Sequence, residues 1–172
     1  SSDGEIVDAS GCYVIPGLVD VHFHGCVGED FSDATPEGLQ AMADYELSEG
    51  VAYICPAGMT LGEDQLSLIC KNAAAHKEKN SGGAELVGVH LEGPFLALAR
   101  KGAHDPECLK DPVPDIVDKM LEASGADPAS GKLGCIRQIT IAPELPHGIS
   151  AIRQFAAAGV VPAVGHCDAD YE

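Results

Sequence analysis

Five short apolar, β-branched runs, each separated from the next by a stretch with helical spacing, constrain this chain more than any other feature. The runs lie at about 14–22, 51–55, 86–91, 136–141 and 160–164. Between the first two, Leu39, Met42, Ala43 and Leu47 recur on one helix face until Gly50, with Thr35 placed as a cap and Pro36 suited to the first turn. Leu66, Ile69, Cys70 and Ala73 mark a second helix opened by Gly62-Glu63-Asp64. A third helix is expected over Pro112 to Leu121 and a fourth over Ile149 to Ala158, with Gly159 as its C-cap. Strands this apolar leave no wet face, and strand–helix alternation joins parallel neighbours. The expectation is an α/β fold with a parallel sheet covered on both faces. Residues 1–13 read as a turn and a short strand, too little for a domain, and Gly25 to Thr35 as a polar loop.

The chain has 172 residues, enough for one ordinary domain with a proper core. Its net charge of −17 repels nucleic acid and anionic membrane surfaces, so neither is an expected partner. No uncharged apolar run approaches the roughly 18 residues of a membrane span. The longest, Phe155 to Gly165, is interrupted by Gly159 and Pro162. There is no basic-then-apolar leader, and the first residue is not Met, so Ser1 is not expected to be the natural start. Seven cysteines are scattered without a C-x-x-C pair, which points to reduced thiols and a cytoplasmic setting. Cys26 and Cys167 adjoin candidate ligands, although free cysteine is more often a small buried hydrophobe.

The conspicuous polar residues sit where the apolar runs end: His22 and His24, Glu92, Glu144, and His166. On a strand, alternate side chains share a face, so His22 and His24 point together with Phe23 opposed. Paired imidazoles suit a divalent cation; the plainer reading is two histidines capping a strand. Glu92 can be a ligand, a general base, or a carboxylate bonded to backbone amides. Taken together, two histidines, one glutamate and a further histidine form a metal set that leaves a position for water. His90, two residues before Glu92, either orients a ligand or belongs to the core. His104 is a loop residue or a substrate contact. His76 and His147 read as surface residues.

Pro16-Gly-Leu-Val-Asp-x-His22-x-His24 resembles the first barrel strand of the amidohydrolase superfamily. Val-His-Leu-Glu-Gly-Pro-Phe-Leu (89–96), Lys-Gly-Ala-His (101–104), Ile-Thr-Ile-Ala-Pro-Glu (139–144) and Val-Gly-His (164–166) follow in order. That series closely resembles the N-acetylglucosamine-6-phosphate deacetylases. The resemblance implies a metal-dependent hydrolase-type TIM (β/α)8 barrel. Residues 14–172 would form its first five β/α units, and residues 1–13 a remnant of a small β-sandwich domain. It implies hydrolysis of N-acetylglucosamine 6-phosphate, a phosphorylated amino sugar, to glucosamine 6-phosphate and acetate. Glu92 and His166 would hold the main metal, His22 and His24 a second. Zn is the expected ion, with Fe, Mn, Co or Ni as alternatives. Ala103, through its backbone, and His104 match positions that contact the sugar. Many superfamily members carry a bridging carboxylated lysine at strand four, whereas here that strand ends Ala142-Pro-Glu144 and the ligand is Glu92. The family's remaining main-site histidine and its catalytic aspartate are expected after Glu172. No catalytic residue is therefore assigned in this chain, and the segment is expected to be inactive alone. The full enzyme is expected to be a cytoplasmic homodimer. The rival readings are another amidohydrolase acting on cyclic amides or N-acyl groups, and a non-catalytic metal-binding fragment whose unpaired strand edges favour association.

Overall fold

A computed structural model describes residues 4, 6–79, 82–127 and 129–170. The strands are β1 (Leu18–Asp20), β2 (Gly25–Cys26), β3 (Glu29–Asp30), β4 (Val51–Ile54), β5 (Ala57–Gly58), β6 (Glu85–Leu86), β7 (Val89–Glu92), β8 (Ile136–Ile141) and β9 (Val161–Val164). The helices are α1 (Pro36–Ser48), α2 (Glu63–Lys79), α3 (Pro114–Ala123) and α4 (Gly148–Ala157). No helix among the described residues is long and apolar enough to cross a membrane.

Each helix starts and stops for a local reason. The Thr35 side chain accepts the Gly38 N–H at 3.1 Å, Pro36 opens α1, and the chain leaves it at Gly50 with φ +90°. Glu63 and Asp64 lie in the first turn of α2, and His76, Lys77 and Lys79 in its last, complementing the helix dipole. α3 begins two residues later than the sequence suggests. Val113 precedes a proline and is held extended, so Pro114 becomes the first helical residue. Gly159, at φ +78°, follows α4 as expected.

The chain is an α/β protein with parallel sheets. β4 lies between β1 and β6, and β5-β7-β8-β9 form a second run, all parallel. The two runs are continuous along the chain, because β4 leads into β5 and β6 into β7. Cys55 N–H donates to Asp20 and Ala57 N–H to Phe23, both at 2.8 Å; Val87 N–H donates to Ile54 and His90 N–H to Pro56. With β4–β5 and β6–β7 each counted as one strand and the β2–β3 hairpin set aside, each parallel strand pairs with the one before it in sequence. The interruptions fall at Pro56, which has no N–H to donate, and at Gly88, where a β-carbon would strike Arg137 and the Cys135 carbonyl.

Four expectations need correction. The first strand is three residues long rather than nine: Pro16 lacks an N–H, and Val14 and Ile15 are exposed without a neighbour. His22 and His24 therefore lie beyond the strand, not on it. The stretch read as a polar loop contains the β2–β3 hairpin, turned by Val27 and Gly28 with φ +50° and +85°. Among the described part of residues 1–13 there is a turn, closed by Cys12 N–H on the Ala9 carbonyl, but no strand. Lastly, β7 is buried throughout and β8 nearly so, whereas Leu18, Val19, Val161 and Val164 on the outer strands are more than half exposed. An outer strand has one neighbour only, so its apolar side chains lack a second wall.

The core joins helices to strands. Leu39 and Met42 of α1, Ile69 of α2, Ile54, Leu86, Leu91, Ile139 and Ile141 of the sheet, and Phe155 of α4 are all essentially inaccessible. Burying each such side chain contributes about 1.5–3 kcal/mol. Phe95, just past β7, meets Phe155 with ring centroids 6.2 Å apart, which pins the loop after β7 to the helix layer.

Candidate metal centre

In a parallel sheet the carboxyl ends of all strands open on one side, so loops leaving them converge. Glu92, the last residue of β7, is at the centre of that convergence and only 8% exposed. Its carbonyl accepts the Thr60 hydroxyl at 2.8 Å, which fixes the strand end. Four imidazoles face its carboxylate. His24 Nε2 lies 3.1 Å and His104 Nε2 3.2 Å from Oε2; His166 Nε2 lies 3.1 Å and His22 Nε2 3.8 Å from Oε1. Burial works to raise the pKa of Glu92, but His24, His104, His166 and His22 together outweigh it and hold it below the usual carboxylate range.

The other ring nitrogen of each histidine decides what Nε2 can do. A carbonyl only accepts and a backbone N–H only donates, so the partner at Nδ1 fixes the tautomer of a neutral ring. His24 Nδ1 is 3.0 Å from the Ala57 carbonyl, and His166 Nδ1 is 2.8 Å from the Arg100 carbonyl. Both rings donate from Nδ1, leaving the Nε2 lone pair aimed at Glu92. His104 is the opposite case, since its Nδ1 accepts the Thr60 N–H at 3.2 Å. Its proton sits on Nε2, and it donates to Glu92 Oε2. Burial foremost holds the pKa of His104 below the ordinary imidazole value, against the pull of Glu92, so the ring is neutral at pH 7.

These contacts test whether the site fits a cation. A lone pair on His24 or His166 lying 3.1 Å from a carboxylate oxygen is repulsive unless a proton or a cation lies between them. Two ligand atoms each about 2.0–2.1 Å from a tetrahedral zinc stand about 3.3 Å apart, close to the separations here. Two groups among the described residues have metal-ligand geometry: His22, His24 and Glu92, and Glu92, His104 and His166. They share Glu92, and neither includes Cys26 or Cys167. In the second group the tautomer distinguishes the members: Glu92 and His166 present lone pairs, while His104 presents an N–H.

The structure brings His22, His24, Glu92, His104 and His166 together. Ala103 is exposed on the same loop, between Gly102 and the buried His104. Glu144 lies to one side, accepting the Asp168 N–H at 2.6 Å, and Asp168 in turn pairs with Arg100 at 2.6 Å. His76 is half-buried on α2 and His147 exposed before α4, both away from the cluster. Sequence reasoning passed over Thr60, which grips Glu92 through its hydroxyl and His104 through its amide. Its one signal was its place just past the second apolar run, in line with the other strand-end residues. Thr140, under His90, gave no signal beyond its burial in β8.

No family model matches the chain. Among curated relatives, the N-acetylglucosamine-6-phosphate deacetylase of Lysinibacillus sphaericus is 31% identical over 166 residues, covering 96% of this chain and 41% of that protein. That of Bos taurus is 36% identical over 168 residues, covering 95% of this chain and 39% of that protein. Among solved structures, an aspartate-to-alanine variant of the Mycobacterium smegmatis enzyme in complex with N-acetyl-D-glucosamine-6-phosphate superposes with a TM-score of 0.75. It is 34% identical, over 91% of this chain and 38% of that one. The chain therefore spans about two fifths of the length of the proteins it matches. Over nearly all its residues the chain is similar to about two fifths of an N-acetylglucosamine-6-phosphate deacetylase.

Proposed function

We propose that this chain carries the metal-binding part of an enzyme that hydrolyses N-acetylglucosamine 6-phosphate with water to glucosamine 6-phosphate and acetate. The observation that carries the reading is a shared, buried Glu92 facing two imidazoles, His24 and His166, whose Nδ1 atoms are tied to backbone carbonyls. Residues 14–172 are read as five successive β/α units of a barrel, supported by the sequential parallel pairing of their strands, and residues 1–13 as belonging to a neighbouring small domain. Glu92 and His166 hold one divalent cation, zinc first among candidates; His22 and His24 with Glu92 hold a second. A divalent cation there supplies Lewis acidity toward an amide carbonyl and toward water.

The chain's own residues do the rest of what can be derived. His104, neutral and protonated on Nε2, offers a hydrogen bond to the sugar or its acyl oxygen, turning that N–H from Glu92 to the substrate when it enters. Thr60 keeps it in that tautomer. The Ala103 backbone, beside it on the same exposed loop, is placed for a second contact. The phosphate-binding cations are read as lying outside this chain, whose net charge of −17 disfavours an anionic substrate.

The test is acetate release from N-acetylglucosamine 6-phosphate by the zinc-loaded enzyme that contains this chain, with its loss on chelation and return on adding zinc back. Acetate release that chelation leaves untouched would overturn the metal reading. Hydrolysis of a cyclic amide in place of the acetylated sugar would move the protein to another amidohydrolase activity.

A further inference from the structure

His22 is the one histidine of the cluster whose tautomer no backbone group fixes. Its backbone N–H is taken by the Asp20 carboxylate at 2.9 Å, but its ring, 41% exposed, follows the end of β1 with no carbonyl or amide on Nδ1. What lies there is a second imidazole: His22 Nδ1 and His90 Nδ1 are 3.0 Å apart. Two neutral rings in that contact share one proton, so one donates and the other accepts. His90 is 2% exposed on β7, and its own Nε2 is 2.8 Å from the Thr140 hydroxyl on β8, also buried. The Val21 carbonyl lies at a long 3.4 Å from His90 Nδ1.

The chain of contacts reads in two directions. If His90 carries its proton on Nδ1, it donates to His22, Thr140 donates to His90 Nε2, and His22 holds its proton on Nε2, facing Glu92. If His22 carries the proton on Nδ1, it donates to His90, and His90 Nε2–H donates to Thr140. A hydroxyl can serve either way, because it rotates between donor and acceptor roles. Only the second arrangement leaves a lone pair on His22 Nε2.

We infer that His90 and Thr140 form a positioning relay for His22, which turns from the first arrangement to the second when a divalent cation enters beside Glu92. Each ring keeps one N–H proton throughout, so the turn changes where protons sit and not how many there are. The inference rests on the metal reading above and adds to it a role for two buried residues that touch neither metal nor substrate. A carbonyl would lock His22 in one tautomer, as Ala57 locks His24; an imidazole backed by a hydroxyl lets the same ring turn an N–H toward Glu92, 3.8 Å away, in the metal-free protein and ligate in the loaded one. It also holds a half-exposed ring that the short β1 cannot.

The experiment is long-range 1H–15N correlation on the labelled protein, chelated and then loaded with zinc. Expected on loading is a proton on Nδ1 of His22 and on Nε2 of His90, with the reverse in the chelated sample. Zinc titrations of two variants accompany it. His90→Leu should weaken one zinc equivalent by about 10- to 100-fold, the usual range for removing a group that orients a ligand, and leave the other alone. His90→Asn, whose amide oxygen stands where Nδ1 stood and can accept from His22, should restore most of that loss. A loaded protein in which His22 keeps its proton on Nε2, or a His90→Leu variant with both equivalents at wild-type affinity, overturns the relay and leaves the metal centre standing. A wild type that takes up no zinc overturns the centre itself and the relay's purpose with it.

Discussion

Glu92→Gln is the most informative single change, because one carboxylate serves both ligand groups. Glutamine keeps the shape and the Thr60 bond to the backbone carbonyl, so the fold has no new cavity to absorb. Without metal, the variant gives up one charge-assisted hydrogen bond, from His104 Nε2–H, worth about 1.5–3 kcal/mol, and remains folded. With metal the consequence is larger. A ligand that binds the folded state alone stabilises it by about 2.7 kcal/mol at 100 times its Kd. For a domain of about 150–250 residues, 1 kcal/mol moves Tm by roughly 2–4 °C, so one filled position gives about 5–11 °C and two give about double. Differential scanning fluorimetry with and without zinc reads this directly. Wild type should show the full shift, His24→Gln about half of it, and Glu92→Gln less than about 2 °C, within one increment of the same scale. If Glu92→Gln kept more than half of the wild-type shift, the two groups would not share a ligand, and the centre drawn around Glu92 would be wrong.

Two further outcomes follow from the same geometry. His104→Asn retains an acceptor for the Thr60 N–H but lacks the Nε2 arm, so in the enzyme that contains this chain zinc content should stay at the wild-type level while KM for the acetylated sugar phosphate rises about two- to tenfold, the loss of one neutral hydrogen bond of about 0.5–1.5 kcal/mol; loss of zinc in this variant would make His104 a ligand. In the chelated protein, burial first and the neighbouring His22 second push the pKa of His90 down to about 4 from 6.5. The unfolded chain therefore takes up this proton first as pH falls: the stability is present in full above 6.5, declines toward 4 and levels off below, in all about 3 kcal/mol from this ring. His104, also lowered, adds in the same direction, and Glu92 adds a loss at still lower pH. Denaturant midpoints at about pH 7.5, 6 and 5 check this, and a flat profile would refute the buried neutral His90.

The α/β class and the order of strands and helices were legible because apolar run and helical stripe alternate along the whole chain, and helix ends carried their own signals at Thr35, Gly50 and Gly159. Strand lengths were less legible. Whether Val14 and Ile15 join β1 depends on a neighbour that the sequence does not indicate, and both are exposed. The breaks at Pro56 and Gly88 have local chemical causes, but only the packing of Arg137 and Cys135 against Gly88 turns the second into an interruption. The β2–β3 hairpin depends on Val27 adopting a positive φ, which its residue type argues against.

The site divides differently. Residue types at strand ends picked out His22, His24, Glu92 and His166, since every parallel strand ends on the same side and a carboxylate there meets whatever follows its neighbours. What each imidazole can do was not legible, because it is set by a backbone group far away in the chain: 33 residues for His24, 66 for His166 and 44 for His104. A carbonyl at Nδ1 makes a ligand and an amide at Nδ1 makes a donor, from the same side chain at nearly the same distance from the same oxygen. Spacing counts histidines; it does not assign them. Thr60 shows how closely the two assignments are tied. Its hydroxyl holds the carbonyl of Glu92 and its amide sets the proton of His104, so a single residue just past β5 fixes both the carboxylate that the two groups share and the histidine proposed to meet the substrate.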